Sequence, residues 1–224
     1  MLDKISSLSN WQPRALPSPQ LLTGRYVTLA SLNAESHTTD LWEAVQAHDE
    51  IWTYLADGPY AGEADLRVAL EEKQRGTAAV FLAIVPKSSA KAEGYASYMR
   101  MDPANGVIEV GNILLAPSLQ RTTAATEAMY LMARHIFEDL GYRRYEWKCN
   151  AKNEPSRRAA LRYGFIFEGI FRQHMIVKGQ NRDTAWFSML DSEWPARKAA
   201  FEAWLDPANF DAEGRQLKAF GRIA

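Results

Sequence analysis

A few side chains combine reactive chemistry with an informative position. Glu109 interrupts the apolar run Val107–Leu115, which places a carboxylate on what reads as a strand. There it is either a proton acceptor or half of a salt bridge on a half-exposed face. In a regular strand it faces the same side as Gly111 and Ile113. Glu168 and His174 share one parity on a later strand and offer the same proton-accepting chemistry. Gln120-Arg121-Thr122-Thr123-Ala124-Ala125 joins an apolar run to a helical stripe. The unpaired first-turn amides of such a helix, at the positive end of its dipole, make a site for a pyrophosphate, and Arg121 adds a full charge. The plainer reading is that Thr122 and Thr123 only cap the helix.

Other chemistries lack their residues. Cys149 is the only cysteine, so no intrachain disulfide or Cys-pair metal site forms, and on an apolar strand face it reads as inert filler. No His or Cys cluster suggests a bound metal. Neither G-x-G-x-x-G nor G-x-x-x-x-G-K-[ST] occurs, which disfavours a nucleotide-binding oxidoreductase or kinase. With 26 basic and 27 acidic residues the net charge is −1, which gives no reason to expect nucleic acid or an anionic membrane as partner. No apolar run spans a bilayer and the first residues lack a signal core, so a cytoplasmic protein is expected.

The elements that position these residues follow from periodicity. Residues 1–20 read as an extended arm, which Trp11 and Leu16 are placed to pin. A domain over 21–191 follows. It opens with a strand in which Val27 and Leu29 alternate with Tyr26, Thr28 and Ala30. A helix capped within His37–Asp40 and another over Glu63–Gln74 come next. Strands over Ala78–Val85, Gly94–Met101 and Val107–Leu115 follow, the last two joined by the turn Asp102-Pro-Ala-Asn-Gly106. From Thr122 to Leu140 one helical stripe holds Ala125, Ala128, Met129, Met132 and Ile136, with His135 beside it as a surface or packing residue. Tyr145, Trp147 and Cys149 define a strand with one buried face, and Glu154–Tyr163 a short basic helix. Phe165–Val177 and Thr184–Leu190 close the domain as strands. The order β-α-α-β-β-β-α-β-α-β-β predicts an α/β (α+β) fold, a mostly antiparallel mixed sheet with helices on its faces. Residues 192–224 form a C-terminal helical extension, suited equally to a lid and to a homodimer contact.

Three pieces resemble the GNAT superfamily, in particular its ribosomal-protein N-terminal acetyltransferase branch. They are Glu109-Val-Gly-Asn-Ile-Leu-Leu-Ala-Pro117 leading through Gln120-Arg-Thr-Thr-Ala-Ala125 into the long helix, Asn153-Glu-Pro-Ser156, and Tyr163-Gly-Phe165 with Phe167-Glu-Gly169. The resemblance implies a twisted GNAT-type sheet and transfer of an acetyl group from acetyl-CoA to a primary amine, on a peptide N-terminus or a small amino compound. It implies that Ile113, Leu114 and Leu115 pair by their backbone with the pantetheine arm, and that Gln120 to Ala125 hold the pyrophosphate. It also implies that Asn153 and Arg158 bind the cofactor and that Ser156 protonates the leaving thiolate, while helix capping competes for Ser156. Trp42, Trp52 and Tyr54 fall where the family's acceptor helices lie, with core packing the plainer reading for any one of them, and His174 is a further acceptor-binding candidate. Thr123 replaces a customary glycine, which matters if the loop needs φ > 0 there. Ala160 replaces a common tyrosine, and Met175 stands where some relatives carry a glutamate. A binding module that holds acyl-CoA without transferring it is the alternative implied by those departures.

Overall fold

The computed structural model describes residues 8–18 and 21–220. The strands are β1 (Leu22–Thr23), β2 (Val27–Ser31), β3 (Ala79–Pro86), β4 (Gly94–Asp102), β5 (Val107–Leu115), β6 (Arg144–Asn150), β7 (Ile166–Val177) and β8 (Gln180–Leu190). The helices are α1 (Ala34–Val45), α2 (Glu63–Arg75), α3 (Thr123–Arg134), α4 (Glu154–Arg162) and α5 (Trp194–Leu205). One eight-stranded sheet runs β1-β2-β3-β4-β5-β6-β8-β7. Only β5 and β6 pair in parallel. The mixed, mostly antiparallel α/β fold expected from element order is what forms.

Alternation sends the strand side chains into two cores. Val27, Leu29, Ile108, Val110, Tyr145, Trp147, Ala185 and Phe187 join α3, α4 and α5 in one. Ala83, Tyr95 and Leu114 meet Leu41, Val45, Leu66 and Leu70 of α1 and α2 in the other. Helices therefore cover both faces, and apolar burial on this scale is the main favourable contribution to folding.

Local chemistry moves several boundaries. Helix α1 starts a turn earlier than His37, because Asn33 caps it by accepting from Ser36 N at 2.9 Å. Strand β1, absent from the sequence reading, pairs only two residues with β2. The long helical stripe leaves α-geometry at a π-turn over His135–Asp139, and His135 is a packing residue, 5% exposed, with Nδ1 2.8 Å from Asp139. Trp11 pins the N-terminal arm, donating its indole N–H to Ala104 O at 2.7 Å under Arg14 and Arg143. Leu16, expected to share that task, stays exposed.

Two contacts lock the frame around α3. The buried Glu127 carboxylate accepts the amides of Arg25, Tyr26 and Val27 at 2.8, 2.6 and 3.0 Å, tying α3 to the start of β2. A Cβ on Gly24 would lie 2.3 Å from that carboxylate, so the chain needs glycine there. On the other side of α3, Trp194, Phe201, Trp204 and Leu205 of α5 are buried, with Trp194 stacked on Phe137 at 5.2 Å. The C-terminal helix thus closes the core of its own chain.

Candidate active site

Two irregularities of β5 open the sheet. Ser97 pairs with Gly111 and Tyr95 with Leu114, so Asn112 and Ile113 together oppose a single residue of β4. Asn112 takes φ 50° in this bulge, a conformation asparagine tolerates better than branched residues. Its Nδ2 donates to Ser97 Oγ at 3.0 Å, and that hydroxyl donates to Gly111 O at 3.1 Å. The extra residue reverses the alternation. Ile113 and Leu115 rejoin the core of Ile108 and Val110, while Leu114 enters the other. Glu109 therefore shares its side with Gly111 and Leu114, not with Ile113 as a regular strand would have it.

The second irregularity is a parting. β5 pairs with β6 only from Val107–Arg144 to Val110–Trp147, and from Gly111 onward it has no strand neighbour on that side. β6 meanwhile continues beside β8 to Asn150. The freed edge of Gly111–Leu115 carries backbone donors and acceptors that an extended ligand with amides can pair.

The end of β5 leads to the mouth of α3. Thr122 caps the helix, its Oγ1 accepting from Ala125 N at 3.1 Å while donating to Leu119 O at 2.7 Å. The amides of Thr123 and Ala124 precede any carbonyl the helix supplies and point out of its N-terminus. Left-handed backbone falls on Arg121, φ 63°, and Thr123 is the first helical residue. The customary glycine is thus dispensable at 123. Gln120 folds back to Leu115 O at 3.0 Å. Arg121 and Arg158 are exposed and form no ion pair among the described residues.

Across the parting stands the start of α4. Asn153 is its cap, accepting from Ser156 N at 3.1 Å, which frees the Ser156 hydroxyl from capping. Ser156 Oγ accepts the indole N–H of Trp147 at 3.0 Å, so its own proton is available to donate. Cys149 lies beside it; burial raises the Cys149 thiol, which Ser156 only partly offsets.

The sheet face that carries Glu109 holds an ion-pair chain that sequence reasoning missed. Arg100 Nη1 lies 3.1 and 2.9 Å from the two oxygens of Glu109, and Lys148 Nζ lies 3.0 Å from one of them. Lys148 also meets Glu146 at 2.6 Å, Glu146 accepts from Arg144 at 2.7 Å, and Arg144 reaches Glu168 on β7. Ser188 donates to Glu168 at 2.7 Å. Trp186 lies against Lys148, with Nζ 3.7 Å from the ring centroid. Glu146 and Lys148 alternate with Tyr145 and Trp147 as an open strand face would, yet their side chains are only 9% and 3% exposed. Glu109 itself is 2% exposed and engages cations with both oxygens. Glu168 is occupied in the same manner, with its pKa held down by the Arg144 hydrogen bond against some desolvation.

His174 differs. It sits on a second bulge, where β7 has extra residues between Phe171 and Met175, and its Nδ1 lies 3.0 Å from Thr184 Oγ1. It lines a groove of about 740 Å³ with Phe171, Gln173 and Asp183. Desolvation, then the charges of Arg100, Arg182 and Lys148, lower its pKa from the ordinary 6.5, with Glu109 opposing. It is an accessible imidazole kept neutral. Tyr54 hydroxyl donates to Lys152 O at 3.1 Å, and Lys178 Nζ donates to Trp52 O at 2.9 Å. The segment before α2 is thereby tied to both the β6–α4 loop and the β7–β8 hairpin. Trp52 is fully buried, and Trp42 is half-buried against the α1–α2 core.

A helix mouth beside a parted pair of strands is a fold-level signature that comparison can test. The Acetyltransferase (GNAT) domain family matches residues 27–166. The crystal structure of a GCN5-related N-acetyltransferase from Brucella melitensis superposes with a TM-score of 0.93 at 51% identity, covering 95% of this chain and 97% of that one. A GNAT-family protein from Chromobacterium violaceum gives 0.81 at 36% identity, over 87% and 98% of the two chains. The ribosomal-protein-serine acetyltransferase of Escherichia coli K12 is 32% identical over 62% of this chain and 79% of its own length. With the domain match across most of the sheet and a whole-chain structural counterpart, this chain belongs to the GNAT family of N-acetyltransferases.

Proposed function

We propose that the protein moves an acetyl group from acetyl-CoA to the α-amino group of a peptide or protein N-terminus. The observation that carries this reading is the parting of β5 from β6 after Val110, between the open amides of α3 and the Ser156 hydroxyl. Acetyl-CoA supplies an acyl group already activated as a thioester. For its diphosphate the fitting residues are Thr123 and Ala124 by their amides, with Gln120 to Ala125 forming the turn and Arg121 and Arg158 adding charge. The edge Ile113–Leu115 suits its amide-bearing arm, and the Asn153 side-chain NH2, free of capping duty, suits a carbonyl on the same arm.

The residues divide the proton work. A neutral imidazole accepts the proton of an incoming ammonium, and His174 is the candidate with both access and a lowered pKa. Glu109 was the expected base. Its burial, with both oxygens engaged by Arg100 and Lys148, favours a positioning role. Ser156, accepting from Trp147, donates toward the departing sulfur. An α-amino group has a reference pKa of about 7.7–8.0 against about 10.4 for lysine, so an unassisted neutral nucleophile is far commoner at an N-terminus. The name of the Escherichia coli relative points to the same acceptor class. Tyr54, held to the β6–α4 loop through Lys152 O, is a candidate contact for the acceptor.

The test is a panel of peptides with free or blocked N-termini and with or without lysine, incubated with acetyl-CoA while thiol release and peptide mass are followed. Acetylation confined to free N-termini is expected. Tight CoA binding without transfer to any amine would replace the enzyme by a binding module.

A further inference from the structure

Among the described residues Arg182 forms no ion pair. The clustered cations Arg100, Arg144, Lys148 and Arg182 outnumber Glu109, Glu146 and Glu168 by one, and every ion pair of that cluster is made by the first three cations. Arg182 Nε is buried without a hydrogen-bond partner, and so is the indole N–H of Trp186 four residues along β8. The adjacent Asp183 does not serve Arg182: its Oδ1 accepts from Gln173 N at 2.7 Å and from Asn181 Nδ2 at 3.0 Å. Burial, followed by the repulsion of Arg100, lowers the Arg182 pKa, while Cys149 and Glu109 oppose. Those influences bracket it between the parted strands and the Glu109 cluster. A half-buried guanidinium with an unmet donor is destabilised until an acceptor arrives, and a carboxylate fits its fork best.

We infer that Arg182 is a carboxylate-binding site for the acceptor, so that the preferred amine arrives with an acidic group a short distance behind it. This deepens the acceptor assignment above and rests on it. The spacing follows from the strand. Thr184, which holds His174, and Arg182 are two residues apart on one face of β8, about 7 Å at the usual rise. In an extended peptide that distance joins the N-terminal residue to the second or third side chain. The unpaired Trp186 N–H, on the other side of Thr184, suits a neutral carbonyl of the same acceptor.

The experiment measures kcat/KM for N-terminally free tetrapeptide amides bearing Asp or Asn at position two or three. The proteins compared are the wild type, Arg182→Gln and Arg182→Lys. The wild type should prefer Asp by about tenfold to a hundredfold, mainly through KM. Arg182→Gln should abolish that preference with the acetyl-CoA KM unchanged, and Arg182→Lys should keep part of it. A second arm compares dipeptides with free or amidated C-termini. A preference there alone assigns the anion to the carboxylate of a small acceptor and still supports the site. Equal rates for Asp and Asn peptides in the wild type, together with equal dipeptide rates, overturn the inference, as does a preference that survives Arg182→Gln. If no peptide is acetylated, calorimetric binding of the same peptides to the CoA-loaded protein separates the claims. Arg182-dependent discrimination in binding keeps the site and removes the transfer reaction, and its absence removes the site.

Discussion

Replacing Glu109 by glutamine separates an anchor from a base, because the two roles predict different stabilities and different pH profiles. The substitution keeps shape and removes one charge between Arg100 and Lys148. Lys148 is 3% exposed at its side chain and retains Glu146, so the lost contact resembles a hydrogen bond to a buried charge, about 1.5–3 kcal/mol. Arg100 is 38% exposed and regains water, which adds only about 0–1 kcal/mol. The sum, about 1.5–4 kcal/mol, corresponds to a Tm drop of roughly 3–16 °C for a chain of this size. Urea unfolding should report it as a lower midpoint at unchanged slope. Adding Lys148→Met should cost less than the two single losses summed, since the Glu109–Lys148 contact is then lost only once while Glu146 keeps Arg144. Activity supplies the second readout. Glu109 raises the His174 pKa, so its removal should carry the acid limb of kcat/KM to lower pH while leaving turnover measurable. A Glu109→Gln protein within about 0.5 kcal/mol of the parent refutes the anchor. So does a stable variant whose acid limb has vanished along with its activity.

Further expectations follow from the same geometry. His174 holds its proton less tightly than an ordinary imidazole, so kcat/KM should rise with pH through a limb below 6.5, and His174→Gln should remove that limb while leaving CoA affinity intact. Arg121→Gly should stabilise the fold by about 1 kcal/mol by relieving a left-handed residue, yet weaken CoA binding severalfold by deleting a charge at the α3 mouth; calorimetry reads both. Glu168 has a pKa held below its unfolded value of 4.5, so its contribution to stability is complete above that value and lost as pH falls through the lower folded one. Glu168→Gln should flatten that part of an acid-unfolding profile. Glu127→Ala leaves three amides without an acceptor and should cost about 3–5 kcal/mol in denaturant unfolding, with little change in acetyl-CoA KM.

Local pattern made much of this legible. The run Val107–Leu115, the stripe on α3 and the first-turn residues of α4 are signals of a few neighbouring positions, and each formed where expected. Glu109 stood out because a carboxylate is costly on an apolar strand. Its partners did not. Glu146 and Lys148 alternate with aromatic residues as a half-exposed strand would, and only the order β5-β6-β8-β7 makes that face an interior. Arg182 falls between the strands expected over Phe165–Val177 and Thr184–Leu190, whereas a two-residue connection at Lys178-Gly179 extends β8 through it. The glycine missing at 123 signalled a strained position correctly in kind. The strain lies two residues earlier, at Arg121, where a residue-type pattern does not reveal it.

Asn112 links these features more tightly than its unremarkable place in the sequence suggests. Were β5 regular, Ile113 would stand on the side of Glu109, and no insertion would interrupt the ladder at the point where β5 leaves β6. The bulge does two things at once. It returns Ile113 and Leu115 to the α3 core, aiming the strand at the helix mouth, and it lies next to Gly111, over which Met99 packs so closely that a Cβ would meet its sulfur. A left-handed residue costs about 1–3 kcal/mol, which the Asn112–Ser97–Gly111 hydrogen bonds offset. The donor slot and the charged acceptor face thus meet at one backbone distortion, held by the Asn112 and Ser97 side chains.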